Sequence, residues 1–436
     1  MSYKPEVIEN IKKSAVILDE KAYDILLEKI GDAQVVLLGE ATHGTHEFYE
    51  IRAEITKKLI LQKDFNAIAI EGDWPDAYNI NNYIHQKKYK NAQEALASFD
   101  RFPTWMWRNV SILKLVEWLK NHNTKSNDQV GFYGLDLYSL YRSIDAVILH
   151  LEKIDPKLAQ EARYKYACLE QYRYDPQVYG YSVFTKLSES CENEVIEVLK
   201  KLEELEWRFI KEKREQVDEA FYITQNGRVV KNSESYYRYL FVSEIKNWNL
   251  RDSHMMETLE ELINYYKKNG ISKPKIIVWA HNSHIGNSKF TQMSSTGEYN
   301  IGELVKNKFG NNSYSLGFTT YNGTVSAASD WHRPVERKII RNALSNSYEE
   351  LFHQVEIPQF LLTLEDKNLV PNELLERAIG VVYAPQTERL SHYFYASLAN
   401  QFDAIIHCDK TTALEPLEKS SAWIEGETPE TYPSGL

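Results

Sequence analysis

No stretch of the chain approaches about 18 uninterrupted apolar residues, the length a membrane-spanning helix demands. The opening residues MSYKPEVIENIKKSAVILDE lack the apolar core of a secretory signal. Cysteine is scarce: Cys168, Cys191 and Cys408 are far apart and form no CxxC pair. They predict neither a disulfide framework nor a thiolate zinc site, which fits a reducing, cytoplasmic setting. Glycine (18) and proline (13) are too few for a turn-dense all-β protein, so helices are expected to dominate. Basic charge is not in excess. Lys and Arg number 51 against 62 Asp and Glu, a net charge of −11, which argues against a nucleic-acid partner whose phosphates demand a basic face. There is no internal repeat and no GxSxG elbow for a serine nucleophile.

What is present is ample material for a core. Apolar residues make up 43% of the 436 residues and aromatics 12%. At about 100–200 residues per domain, this length implies two or three domains, or one with a large insertion. Three continuous apolar runs, Ala33–Leu38, Ala67–Ile70 and Val130–Leu135, read as strands buried on both faces, as in a parallel sheet. Between them, His46–Leu61 and Val110–Leu119 carry apolar residues at helical spacing, so the expected class is an α/β sheet with right-handed crossovers. From about Ile144 to Lys267 the pattern turns amphipathic, which predicts a helical insertion, with the charge run Lys211–Glu219 on a solvated helix face. Strand signals resume at Lys275–Ala280, Tyr314–Thr319, Gln359–Leu364, Ile379–Tyr383 and Ala404–His407. The expected divisions are core residues 1–143, insertion 144–267, core 268–315, a small α+β subdomain 316–378, and last strands with an acidic tail 379–436.

In an open α/β sheet, ligands bind beyond the carboxyl ends of the strands. After the first run stand Glu40, His43 and His46, with Arg52 on the following helix; after the second, Glu71, Asp73 and Trp74. The third ends at Asp136, and the run at 275–280 at His281 and His284. Each residue has a structural alternative. Glu40 caps the next helix or belongs to a site, and His43 is a loop histidine or a functional one. His46 caps and packs at the helix start, or pairs with His43 as a ligand. Glu71 ends an apolar strand and needs a cation, a histidine or a substrate hydroxyl, because an unpaired buried carboxylate is costly. Arg52 is placed to pair with Glu40 or Glu71. Trp74, Trp105 and Trp107 wall a cleft or pack in a core. Twelve of the 29 tyrosines fall in the insertion, where they line a sugar or macrocycle site or pack at helix edges.

The segments GEATHGTHEFYEIRAEI, FNAIAIEGDW and VWAHNSH, supported by NLRDSHMMETL and RAIGVVYAPQTERLSHYF, resemble the erythromycin esterase family of hydrolases over about Val35–Leu417. The resemblance implies a three-layer α/β core with a helical insertion and a small second α+β domain. It also implies hydrolysis of an ester, a macrolide lactone in the known cases, by an activated water without a covalent intermediate. Carried over by position, it maps the catalytic set to Glu40, His43, Arg52, Glu71, Arg251, His281 and His284. The strand ends add His46, Asp73, Trp74, Trp105 and Asp136 as substrate-binding candidates.

A water nucleophile with His43 as general base suits these residue types, with Glu71 or Glu40 orienting the imidazole. Arg52 or Arg251, with His281 or His284, would polarise the carbonyl and stabilise the oxyanion. This reading needs no cofactor. A second reading is a metal-dependent hydrolase, since His43-x-x-His46 and His281-x-x-His284 with Glu40, Glu71 and Asp73 offer ligands for Zn²⁺ or Mn²⁺. A third is a non-catalytic or biosynthetic homologue that binds a saccharide. The segments Gly39–Glu50 and Glu71–Asp76 hold six carboxylates and no Lys or Arg. Such concentrated acidity is expected to favour protonated histidine and to select a small neutral or cationic substrate, with no membrane partner.

Overall fold

The computed structural model describes residues 3–212 and 217–426. Its strands are β1 (Val16–Ile17), β2 (Val35–Leu38), β3 (Ala67–Asp73), β4 (Gly131–Asp136), β5 (Ile276–Trp279), β6 (Ser313–Ala327), β7 (Glu336–Ile340), β8 (Gln359–Thr363), β9 (Leu374–Arg377), β10 (Tyr393–Ala396) and β11 (Ala404–Thr411). Nine of them build one sheet in the order β1-β8-β11-β6-β2-β5-β3-β4, with β7 added beside β6; β9 and β10 pair separately. Every pairing from β11 across to β4 is parallel. The added strands β8, β1 and β7 are antiparallel.

The continuous apolar runs are buried throughout: β2, β3, β4 and β5 have no half-exposed position. Successive side chains nevertheless part company, because a strand alternates its faces. Val35, Leu37, Ala67, Ala69, Ile276 and Val278 enter one hydrophobic cluster. Val36, Leu38, Ile68, Ile70, Ile277 and Trp279 enter the other. Each fully buried Val, Leu or Ile contributes about 1.5–3 kcal/mol relative to exposure, so both faces demand a cover. Helices Glu20–Ile30, His46–Lys63 and Val110–Lys125 cover the second face. On the first face the cover comes from residues 140–268, in helices Leu140–Ile154, Pro156–Glu170, Pro176–Phe184, Glu192–Lys211, Val217–Tyr239 and Glu244–Lys268. The result is a three-layer α/β core with a large helical insertion.

Several expectations are corrected here. Residues 316–378 do not stand apart as a subdomain: β6 and β8 pair within the main sheet through β11, and only β9, with β10, leaves it. Ile379–Tyr383 is not a strand but a strap. Ile379 N–H donates to the Ala41 carbonyl and Tyr383 N–H to that of Ala328, so its hydrogen bonds go to two different segments. Cys168 and Cys191 are joined as a disulfide, with Cα atoms 6.2 Å apart. The insertion tyrosines divide between the interior, as at Tyr166, Tyr179 and Tyr222, and open solvent, as at Tyr164 and Tyr174, rather than lining a common cavity. The acidic tail beyond Gly426 and part of the Lys211–Glu219 run lie outside the described residues. Among the described residues no helix is long and apolar enough to cross a membrane.

Candidate active site

Strand order decides which loops meet. Because β2, β5, β3 and β4 are successive neighbours, their carboxyl ends present Glu40, His281, Glu71 and Asp136 side by side. The loop after β2 is pinned from both sides. Asn282 N–H donates to the Glu40 carbonyl at 2.8 Å, and His43 N–H donates to the Ile379 carbonyl at 3.3 Å.

Glu40 uses its two oxygens for two partners. Oε1 lies 2.8 Å from His43 Nδ1, and Oε2 accepts from Arg52 Nη2 at 2.6 Å. Arg52 is completely buried, its guanidinium 4.4 Å from the ring centres of both Tyr49 and Trp279. It therefore sits behind Glu40 as its ion-pair partner; it does not reach a substrate carbonyl, which corrects that part of the expectation. With Nδ1 taken by Glu40, His43 turns Nε2 toward the site, where Glu71 Oε1 is 3.9 Å away.

Glu71 is the hub. Arg251 Nη2 donates to its Oε1 at 2.7 Å, the His281 backbone N–H donates to its Oε2 at 2.9 Å, and His284 Nε2 is 3.4 Å from Oε1. Burial alone would push this carboxyl up, but His284, His43, Arg251 and the His281 N–H outweigh it and hold it well below the usual carboxylate range. Arg251 also clasps Asp136 at 3.0 and 2.7 Å. Asp136 is thus a structural anchor for Arg251 rather than a free substrate ligand.

His284 approaches the same Glu71 oxygen, Oε1, that His43 faces. Its Nδ1 is 3.0 Å from each Asp252 oxygen, its Nε2 is 3.0 Å from Arg251 Nη1, and Trp248 stacks on its ring at 4.6 Å. Burial works to lower His284, but Asp252 and Glu71 prevail and raise it. His281 behaves oppositely. Burial and the neighbouring His43, whose ring centre is 4.8 Å away, push it down to about 3. The expectation that acidity here favours protonated histidine therefore fails at His281.

Asp252 and Trp248 were missed by the sequence reading. They share a helix with Arg251 at the i, i+3, i+4 spacing that puts side chains on one face, and that spacing was the available signal.

Other candidates fall outside the cluster. His46 begins the helix His46–Lys63, and its backbone N–H donates to Thr412; no side-chain contact joins it to His43. Trp74 is core: it stacks on Tyr133 at 5.6 Å and its Nε1 donates to the Tyr222 carbonyl. Trp105 packs with Ala328 and Val335 in a satellite cluster. Asp73 lies next to Asp136 in the strand register but pairs with Arg101 at 2.7 Å. The six carboxylates seen in the sequence are not an acidic field. Arg52, Arg251, Arg101 and Arg142 pair with Glu40, Glu71, Asp73 and Asp76, and Lys114 stands 3.6 Å from Glu50. Glu47 accepts instead from the backbone and hydroxyl of Thr412. Among the described residues no three His, Cys, Asp or Glu side chains are arranged to hold a metal ion.

Residues 60–411 match the sequence profile of the family described as Erythromycin esterase. The chain belongs to the erythromycin esterase family. It is 23% identical over 315 residues to erythromycin esterase type II of Escherichia coli, covering 68% of this chain and 71% of that protein. It is 21% identical over 404 residues to the putative hydrolase YbfO of Bacillus subtilis, covering 87% and 84%. Among solved structures, a mutant erythromycin esterase in its open conformation matches 90% of this chain and 95% of its own, with TM-score 0.64 and 17% identity. A succinoglycan biosynthesis protein matches 95% and 99%, with TM-score 0.75 and 22% identity. These likenesses establish the erythromycin esterase fold. Family membership suggests a hydrolase.

Proposed function

We propose that this chain hydrolyses an ester or lactone, macrolide-like in its chemistry, by a water that His43 activates, with no covalent intermediate. The observation that carries the proposal is the 2.8 Å contact between Glu40 Oε1 and His43 Nδ1, which fixes the ring with Nε2 free to accept a proton. Nε2 takes a proton from water as the water oxygen bonds to the carbonyl carbon. When the tetrahedral adduct collapses, the leaving alkoxide takes that proton, giving an acid and an alcohol and restoring His43. Glu40, paired with Arg52, stabilises the transient imidazolium.

The substrate proposed is a neutral or cationic small molecule. Since arginines offset most of the local carboxylates, neutral esters suit the site better than cations. With Cys168 and Cys191 paired, the cysteine argument for a reducing compartment lapses, and a cytoplasmic setting is not part of the proposal.

A panel of simple esters, lactones and macrolides tests the reading, with His43→Asn as the control. Turnover is expected to fall about 10²–10⁴-fold in the variant, the range for loss of a positioned base. Saturable binding of a saccharide with no turnover of any ester would favour the biosynthetic reading instead.

A further inference from the structure

We propose that His281 acts as a neutral hydrogen-bond donor, through Nε2–H, to the oxyanion formed in the reaction, in a tautomer imposed by Ser283. This rests on the hydrolase reading above and adds to it the identity of the oxyanion donor and the residue that sets it.

The argument begins with an atom that can only donate. The Ser283 backbone N–H points at His281 Nδ1 at 3.2 Å, so that nitrogen must carry a lone pair. Ser283 Oγ lies 2.8 Å from the same nitrogen and, with Nδ1 an acceptor, supplies a second donor. A neutral imidazole then carries its one proton on Nε2. This atom is buried and has no hydrogen-bond partner. The Ala41 carbonyl, which also accepts from Ile379 N–H, lies close enough to favour a proton on this ring, in keeping with Nε2–H.

Other roles fit poorly. A base needs a free lone pair, and Nδ1 is already occupied twice. A cation is opposed by burial and by the adjacent His43. What remains is an N–H donor that Ser283 orients beside the water-activating histidine, the two rings 4.8 Å apart. As the water oxygen bonds to the carbonyl carbon, the π electron pair moves onto the carbonyl oxygen. Nε2–H donates a hydrogen bond to that oxygen and keeps its proton. The bond weakens as the π bond re-forms and the alkoxide leaves with the proton held by His43.

Two variants separate this role from the alternatives. The Gln side-chain amide reaches toward the place of Nε2, whereas that of Asn matches Nδ1. His281→Asn is expected to lower kcat on p-nitrophenyl acetate by about 10²–10³-fold with KM little changed, as for loss of an oxyanion donor. His281→Gln should recover most of that loss. Equal losses in the two variants would overturn the proposal. So would long-range ¹H–¹⁵N spectra of the intact protein that show the His281 proton on Nδ1. If the wild-type protein turns over no ester, the hydrolase reading fails, and binding of the phenyl methylphosphonate monoanion decides the donor role alone. Weaker binding by His281→Asn than by His281→Gln sustains it; equal binding refutes it.

Discussion

Asp252 places both carboxylate oxygens 3.0 Å from His284 Nδ1, although 32 residues separate the two in sequence. Together with the Glu40–His43 contact, this brings two carboxylate–histidine pairs to Glu71 Oε1, with His43 Nε2 at 3.9 Å and His284 Nε2 at 3.4 Å. The two pairs differ in setting. His43 is 7% exposed, whereas His284 lies beneath Trp248, Arg251 and Glu71 at 3%. His43 is the more open of the two rings and His284 the more enclosed.

The His284 pair makes stability depend on pH in a defined direction. Its folded-state pKa is raised, so its contribution is complete below the ordinary histidine value and is lost as pH rises through the folded value. Asp252→Asn should cost about 1–3 kcal/mol at pH near 6, and less on the alkaline side. Urea unfolding of both proteins at the two pH values measures it. A loss that does not change with pH would show that His284 carries no charge in the fold.

Arg52 should matter through Glu40. Its removal leaves a carboxylate 1% exposed with only His43 for company. Arg52→Met is expected to cost about 3–5 kcal/mol, the range for breaking a buried ion pair. Arg52→Met combined with Glu40→Gln should cost clearly less than the sum of the single changes, because the second removes the charge the first strands. Additive losses would mean that the pair is not coupled.

On the acid side His281 works the other way. Folded, it takes a proton only near pH 3, against an ordinary value of 6.5. The unfolded chain therefore binds more protons between those values, and stability falls with pH by up to about 1.4 kcal/mol per unit. Glu71, held below its ordinary value, adds a loss at still lower pH. His281→Gln should flatten the slope of unfolding free energy between about pH 6.5 and 5. An unchanged slope would assign the acid sensitivity elsewhere.

The loop carrying His43 leaves no room at Gly44. A Cβ there would sit 1.8 Å from the Ser326 carbonyl oxygen and 2.7 Å from its carbon, both main-chain atoms. Gly44→Ala is expected to destabilise by about 3 kcal/mol or more, since backbone cannot rotate aside. Gly380, in the strap that binds the same loop, faces open space and serves as the control. Its Ala variant should lie within about 0.5 kcal/mol of the wild type in thermal unfolding.

Both Glu71 oxygens already have donors, Arg251 and the His281 N–H. Dialysis against EDTA is therefore expected to leave ester turnover unchanged. Stoichiometric zinc or manganese in the purified protein, with activity lost on chelation and restored by the metal, would require the metal-dependent reading.

Much of the site could be read along the chain. A strand buried on both faces must be apolar from end to end, so a carboxylate or histidine at its terminus stands out, as Glu71 does after AIAI and His281 after IIVWA. Glu40 and His43 were legible for the same reason, and the NLRD stretch supplied Arg251. His46 could not be separated from His43 by spacing, because a helix start and a loop ligand look alike until the chain direction is known.

By itself, then, the sequence determined the parallel sheet, the helical insertion and the chemical types at the strand ends, since each is a local pattern of burial and period. Only the tertiary structure decided which of them meet. The order β2-β5-β3-β4 set Glu40, His281, Glu71 and Asp136 in a row. Arg101, Arg142 and Arg251 returned over 28, 66 and 180 residues to neutralise carboxylates that had looked like an acidic patch. Such pairing depends on how whole elements pack, and a buried charge finds its partner in space, at no fixed distance along the chain.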